Sequence, residues 1–70
     1  MFRNLRAEMA RYGISTEELA QAIGISRQAL SSKMNGKTRF MLEEVRAIRD
    51  YINGKGGNFT ADELFMETTI

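Results

Sequence analysis

A set of hydrogen-bonding side chains between residues 27 and 35 has the chemistry of groups that contact nucleic-acid base edges. Its members are Arg27, Gln28, Ser31, Ser32 and Asn35. Arginine pairs with O6 and N7 of guanine, and glutamine pairs with N6 and N7 of adenine. We predict that Arg27 and Gln28 read bases in this way. Ser31 and Ser32 are expected to approach a base edge or a thymine methyl group.

The charge around this set has one sign. Residues 19 to 42 contain no Asp or Glu, and they carry four basic residues: Arg27, Lys33, Lys37 and Arg39. Phosphate binding favours such a stretch, because affinity comes from neutralising phosphates and releasing counterions. The whole chain has a net charge of only +1, whereas residues 50 to 70 contain four acids and one lysine. This indicates a basic face opposite an acidic one, although chance segregation in a short chain is an alternative.

Local signals predict the first of two short helices that position these side chains. Ser15 followed three residues later by Glu18 is a capping box that begins a helix. Leu19 and Ile23 are four residues apart and form one apolar face. Gly24 ends the helix, since a left-handed terminal residue is least strained when it is glycine.

The second helix follows almost at once. Ser26 is its N-cap, and Leu30 and Met34 give it a buried side. Only Ile25 separates the end of the first helix from this cap, so the two helices meet at a steep angle, and the small Ala20 allows close approach. The pattern predicts a helix-turn-helix, whose second helix is free to enter a DNA major groove.

This stretch resembles the helix-turn-helix of the phage repressor and Cro family, which has the lambda-repressor-like fold. The matching pattern is Thr16-x-x-Leu19-Ala20-x-x-Ile23-Gly24-Ile25-Ser26-x-x-x-Leu30, followed by Asn35-Gly36-Lys37-Thr38. The segment Phe40-x-Leu42-x-Glu44-x-x-x-Ile48 resembles the family's fourth helix. The resemblance covers residues 2 to 66 and implies a DNA-binding function.

The resemblance also implies that the loop after the second helix lies along the DNA backbone. Lys37 and Arg39 supply positive charge in this loop, and Thr38 adds a hydrogen-bonding group. Asn35 ends the recognition helix beside the loop. Thr16 lies at the N-terminus of the preceding helix, where anions bind favourably. We predict that these five residues hold phosphates.

Lys33 departs from the family pattern, because many members carry a buried aliphatic residue there. In this chain Met34 follows one place later. Either the lysine stem lies over the core edge with its charge in water, or the helix is rotated slightly. Either alternative affects the direction in which the side chains of Ser31 and Ser32 point.

The remaining periodicity predicts an all-α fold, a compact bundle of about five short helices. Further helices are expected at residues 2–12, 41–52 and 61–66, with a glycine-rich loop at residues 53–58. The chain is expected to be a single domain, residues 1–70. Its helix-turn-helix core is residues 16–35, and its C-terminal helix and tail are residues 59–70.

The helix at residues 41–52 carries specific expectations. Four of its residues are predicted to face the core: Leu42, Val45, Ile48 and Ile52. Arg46 and Asp50 are four residues apart and can pair on the surface, and Tyr51 is expected to cover the core edge. Phe40, just before this helix, is expected to be a core anchor.

The C-terminal segment raises the question of assembly. Its apolar residues are Phe59, Leu64, Phe65 and Met66. They either complete the intramolecular core or form part of a two-fold dimer. A homodimer on one face of the duplex would read a palindromic operator with half-sites about 34 Å apart.

Composition argues against several other functions. The chain has no cysteine and no histidine, so it lacks the commonest metal ligands and the commonest general base. We expect no metal, cofactor or small-molecule substrate, and no membrane span. An enzyme is the weakest reading, because the adjacent pairs Glu17-Glu18 and Glu43-Glu44 are explained by helix capping and the helix dipole. The expected location is the bacterial cytoplasm, associated with the nucleoid.

Two functions remain. The leading hypothesis is a sequence-specific, double-stranded DNA-binding transcription regulator, a phage or prophage repressor that occupies an operator. The alternative is a protein-interaction adaptor, such as an antitoxin or anti-repressor, with secondary DNA binding. Substituting Arg27 and Gln28 separates them, since only the first needs those side chains.

Overall fold

The computed structural model describes residues 2–65, and within this range all regular secondary structure is helical. The helices are α1 (Arg3–Arg11), α2 (Thr16–Ile23), α3 (Arg27–Met34), α4 (Leu42–Gly54) and α5 (Ala61–Phe65). The predicted all-α bundle of five short helices is confirmed. None of the helices in residues 2–65 is long and apolar enough to cross a membrane.

The helix-turn-helix is built by local capping contacts. The Ser15 hydroxyl accepts the N–H of Glu18 at 3.0 Å, and the Ser26 hydroxyl accepts the N–H of Ala29 at 3.1 Å. Gly24 adopts a φ of 81°, a left-handed conformation that strains residues with a Cβ. These contacts fix where α2 begins and ends and where α3 begins, and they confirm the boundaries read from the sequence.

Buried apolar side chains from all five helices, together with one from the turn between α1 and α2, form one core. They are Leu5, Met9, Ile14, Leu19, Ala20, Leu30, Met34, Ile48, Ile52 and Leu64. Helix α2 packs against both α3 and α4, and α5 packs against both α1 and α4. The α2–α3 pair is therefore supported from behind, while the outer side of α3 stays exposed.

Three phenylalanine rings close one end of the core. Phe40 contacts Phe2 and Phe65 with ring centroids 5.2 Å and 5.0 Å away, and Phe2 and Phe65 are 5.9 Å apart. All three pairs are edge-to-face, a geometry that contributes about 0.5–1.5 kcal/mol per pair beyond burial. Phe40 thus packs against the core, as predicted, and secures the chain just before α4.

The C-terminal segment packs on its own chain. Leu64 is fully buried, and Phe59 and Phe65 are half-buried against the core. Thr60 and Glu63 form a reciprocal capping box at the start of α5. The Leu64 side chain therefore has no surface to offer a second copy. Met66, the fourth predicted dimer residue, lies outside the described residues.

Asn53 fixes the loop that leads to this segment. Its side-chain amide donates to the Phe59 carbonyl at 3.0 Å and accepts the Phe59 N–H at 2.8 Å. Helix α4 runs on to Gly54, two residues further than predicted. The glycine-rich stretch is therefore a shorter loop whose two ends are joined by one side chain.

The expected orientation of Leu42 on α4 is wrong. Leu42 was predicted to face the core, but it is 64% exposed. Three residues of a helix turn about 60° less than a full circle. Leu42 is six residues before Ile48, so its side chain points about 120° away from that of Ile48 around the helix axis. The Arg46–Asp50 pair that the spacing allows is not formed. Asp50 instead accepts from Nε and Nη2 of Arg49, at 3.1 and 3.0 Å.

Candidate nucleic-acid interface

Helix α3 has one buried side and one polar, exposed side. Leu30 and Met34 point into the core. Arg27, Gln28 and Ser31 are exposed, whereas Ser32 is half-buried. The apolar pair thus determines which side chains are presented to a ligand. Because Leu30 and Met34 anchor the helix together, all four predicted base-reading residues remain available at its surface.

The exposed side of α3 borders a shallow surface depression of about 520 Å³. Its lining consists of polar and basic residues, without an acid: Thr16, Arg27, Gln28, Ser31, Ser32, Asn35 and Lys37. All four predicted base-reading residues and three of the five predicted phosphate-binding residues are therefore neighbours. The other two, Thr38 and Arg39, are exposed in the adjoining loop and do not line the depression.

Thr16 brings the start of α2 to the edge of this depression. It is the first residue of α2, and Ser15 before it caps the N–H of Glu18. A helix N-terminus carries partial positive charge and N–H groups without helical partners. The depression therefore has an anion-favouring group on the α2 side, although Glu17 in the same turn reduces the local positive potential.

Arg6 supports the far end of α3. Its Nη2 atom donates to Oδ1 of Asn35 at 2.9 Å and lies 3.4 Å from the Met34 carbonyl oxygen. This contact engages the Oδ1 atom of Asn35, and the NH₂ group remains as the donor of its amide. This role of Arg6 has no sequence signal, because the two residues are separated by 29 positions.

Lys33 turns away from the depression. Its Nζ atom lies 3.1 Å from Oε1 of Glu44 and donates to the Arg39 carbonyl at 3.0 Å. Its side chain is only 14% exposed. The side chain is thus largely buried, and its ammonium is paired with a carboxylate instead of standing in water. Glu44 on α4 therefore supplies the negative charge that pairs with Lys33, the residue that departs from the family pattern.

A second polar cluster fastens α2 to α4. The Tyr51 hydroxyl donates to Glu18, and Lys55 Nζ lies 3.3 Å from Glu18 Oε2. The hydrogen bond from Tyr51, and then the one from Lys55, lower the pKa of Glu18. Glu18 in turn raises the pKa of both Tyr51 and Lys55. This cluster stabilises the orientation of α2, on which the placement of α3 depends.

The fold and the exposed face of α3 together define the class of protein. Two short helices join across a tight turn, and the second presents hydrogen-bonding side chains beside basic ones, which is the geometry of a helix-turn-helix DNA-binding domain. Among residues 2–65 no group of three potential metal-binding side chains occurs.

Comparison with known families agrees with this class. A family model described as a Cro/C1-type HTH DNA-binding domain matches residues 4–55. The match covers more than half of the chain, and the chain belongs to the Cro/C1-type HTH family. The resemblance to Cro-type repressors noted in the sequence is confirmed. No curated protein and no solved structure matched the chain. Membership in this family indicates a DNA-binding transcription regulator. Proteins of this family are typically non-enzymatic.

Proposed function

We propose that the protein is a sequence-specific transcription regulator of the phage or prophage type, which represses by occupying an operator. The observation that carries this proposal is the continuous acid-free depression along α3. It combines groups that can read bases with groups that can neutralise phosphates. The protein would act in the bacterial cytoplasm, on the nucleoid.

Base reading is proposed for the outer side of α3, inserted into the major groove. Arg27 and Gln28 lie in the first turn, the part of a recognition helix that contacts base edges. Arg27 would pair with guanine and Gln28 with adenine. Ser31 and Ser32 lie one turn further and would contact a base edge or a thymine methyl group.

Phosphate binding is proposed on both flanks of α3. On one side, Thr16 brings the start of α2 to the edge of the depression. On the other side lie Asn35 and Lys37, with Thr38 and Arg39 in the loop that follows. These contacts would fix the register of α3 on the duplex without carrying sequence information themselves.

A homodimer is part of the proposal. One domain with a single recognition helix covers a short half-site, and a two-fold pair would read an inverted repeat. The half-buried surfaces of Phe59 and Phe65 are the part of the predicted dimer segment still partly accessible within the described residues. Leu64, being fully buried, would contribute only by shaping that segment.

The experiment that tests the proposal is selection of bound duplexes from a random DNA pool at near-physiological salt. Enrichment of an inverted repeat with half-sites about one helical turn apart is expected. Enrichment of a single half-site would keep sequence-specific reading and remove the dimer. Recovery of unenriched DNA with only salt-sensitive binding would refute a stand-alone reader.

One observation favours the adaptor as a second candidate. Met41 and Leu42 are the large hydrophobic side chains that are exposed among residues 2–65, each at 64%. Such a pair could contact another protein, as in an antitoxin or anti-repressor. Substituting both Arg27 and Gln28 by alanine is expected to abolish operator binding under the first function. Under the second, it would leave partner binding intact.

A further inference from the structure

The loop between α3 and α4 carries four of the five predicted phosphate-binding residues, and few hydrogen bonds hold its backbone. At its start, the N–H of Lys37 donates to the Ser32 carbonyl at 2.9 Å. Further along, the Arg39 carbonyl accepts from Lys33 Nζ at 3.0 Å. In the part of the chain that the structure describes, no other hydrogen bond reaches the backbone between Thr38 and Phe40. Lys33 therefore supplies the hydrogen bond that holds the middle of this segment, beside the packing of the Phe40 ring.

Glu44 completes the arrangement from α4. Its Oε1 atom accepts the N–H of Met41 at 2.8 Å and lies 3.1 Å from Lys33 Nζ. One carboxylate oxygen thus joins the last turn of α3 to the start of α4, and the lysine bonded to it also holds the loop. Both side chains are 14% exposed, so water competes with the contact less than it does at an open surface pair.

The positive charge of Lys33 is paired within the protein. Lys33 does not line the depression along α3, whereas Asn35 and Lys37 do. Its positive charge is balanced by Glu44 rather than directed at a phosphate. A loop that must place several groups on successive phosphates loses affinity when its backbone is free to move, because ordering it on binding costs entropy.

We propose that Lys33 and Glu44 are positioning residues for DNA binding, which hold the loop of Lys37, Thr38 and Arg39 in register with the recognition helix. This inference rests on the proposed function. It means that Glu44, although acidic, favours the binding of negatively charged DNA. It also explains why a lysine at this position remains compatible with the family fold.

The decisive variant is Glu44→Gln, tested beside Glu43→Gln. Each removes one negative charge from the first turn of α4. Glu43 is exposed, and within the described residues it has no ion pair. If charge alone matters, both variants bind DNA slightly more tightly. If Glu44 positions the loop, Glu44→Gln binds roughly fivefold to tenfold more weakly, whereas Glu43→Gln does not. Equal affinity of the two variants would overturn the proposal.

The measurement uses the full chain and two fluorescent duplexes, one recovered from the random pool and one of scrambled sequence. Affinity for both is expected to fall by a similar factor in Glu44→Gln, since the loop contacts phosphates. The slope of log affinity against log salt is expected to fall by about one to two units as Lys37 and Arg39 lose their contacts. A loss confined to the selected sequence would contradict a positioning role for this loop.

A second measurement needs no DNA. Backbone ¹⁵N relaxation of the free protein is expected to show Thr38 to Met41 as ordered as the helices in the wild type and in Glu43→Gln. The same residues should become mobile in Glu44→Gln. An unchanged loop would refute the proposal even if DNA binding fell. Failure of the wild type to enrich any sequence would instead refute the proposed function, and the relaxation result would still decide whether the pair orders the loop.

Lys33→Met guards against a folding artefact. Methionine keeps an unbranched apolar stem in this largely buried position and removes the ammonium. Thermal unfolding identifies any variant that is not folded at the assay temperature. Since Lys33 and Glu44 act through one contact, the double variant is expected to lose less affinity than the product of the two single losses. Fully multiplicative losses would show that the two residues act independently.

Discussion

Arg27→Ala is the substitution that most directly tests base reading. Arg27 opens α3, is exposed and lines the depression. Within residues 2–65 its side chain makes no hydrogen bond or ion pair. Its removal therefore takes away no intramolecular hydrogen bond or ion pair, and the free energy of unfolding is expected to change by no more than about 0.5 kcal/mol. Any large loss of DNA affinity would then come from the interface.

The magnitude follows from the paired hydrogen bonds that an arginine can donate to guanine. A good pair of this kind contributes about 1–3 kcal/mol of discrimination, which corresponds to roughly 5-fold to 150-fold in affinity. Part of any loss also reflects one missing positive charge. Arg46→Ala measures that part, because Arg46 is an exposed α4 residue that does not line the depression.

The assay is fluorescence anisotropy with the selected duplex and with a scrambled duplex of the same length. Arg27→Ala is expected to weaken binding to the selected duplex strongly and to the scrambled duplex only slightly. Arg46→Ala should have a small effect on both. If Arg27→Ala weakened both duplexes equally, or by no more than Arg46→Ala, then Arg27 would not be a base-reading residue.

Three further predictions concern the flank, the core and the α2–α4 cluster. Lys37→Ala should weaken binding to all sequences by a similar factor and lower the salt slope by about one unit, measured by anisotropy from low to high salt. Leu64→Ala should cost about 2–5 kcal/mol in urea denaturation, because it empties a fully buried site; a cost that depends on protein concentration would point to a dimer contact instead. Because the pKa of Glu18 is lowered in the fold, its stabilising effect is present above the ordinary glutamate pKa and is lost as the pH falls. Thermal unfolding should therefore show the wild type losing its advantage over Glu18→Gln as the pH falls below about 4.5, whereas a constant advantage would contradict the lowered pKa.

The polar contacts that organise the site lie beyond the reach of sequence patterns. Arg6 and Asn35 are 29 positions apart, and Tyr51 and Glu18 are 33 apart. Neither pair has a spacing that marks it, because each is brought together by the packing of separate helices. Arg6 supports Asn35 because the packing of the bundle brings the end of α3 next to α1.

Lys33 shows the limit of an interpretation that uses only residues close together in the sequence. The sequence allowed two arrangements: the lysine ammonium in water, or a slight rotation of α3. Neither included Glu44, since the acid lies on the next helix and reaches Lys33 only after the loop has folded back. Leu42 shows the same limit for apolar residues, because the face of α4 that meets the core is set by Ile48 and Ile52.

The sequence by itself determined the helices, their caps and the helix-turn-helix. These depend on contacts within about four residues, such as Ser15 with Glu18 and Ser26 with Ala29, or on the backbone freedom of Gly24. It also determined the chemistry of the exposed side of α3, because helical periodicity separates polar from apolar residues. The tertiary structure alone decided which charges remain available for DNA. That choice depends on which side chains meet across helices, and long-range packing placed Lys33 against Glu44 while Lys37 stayed at the surface.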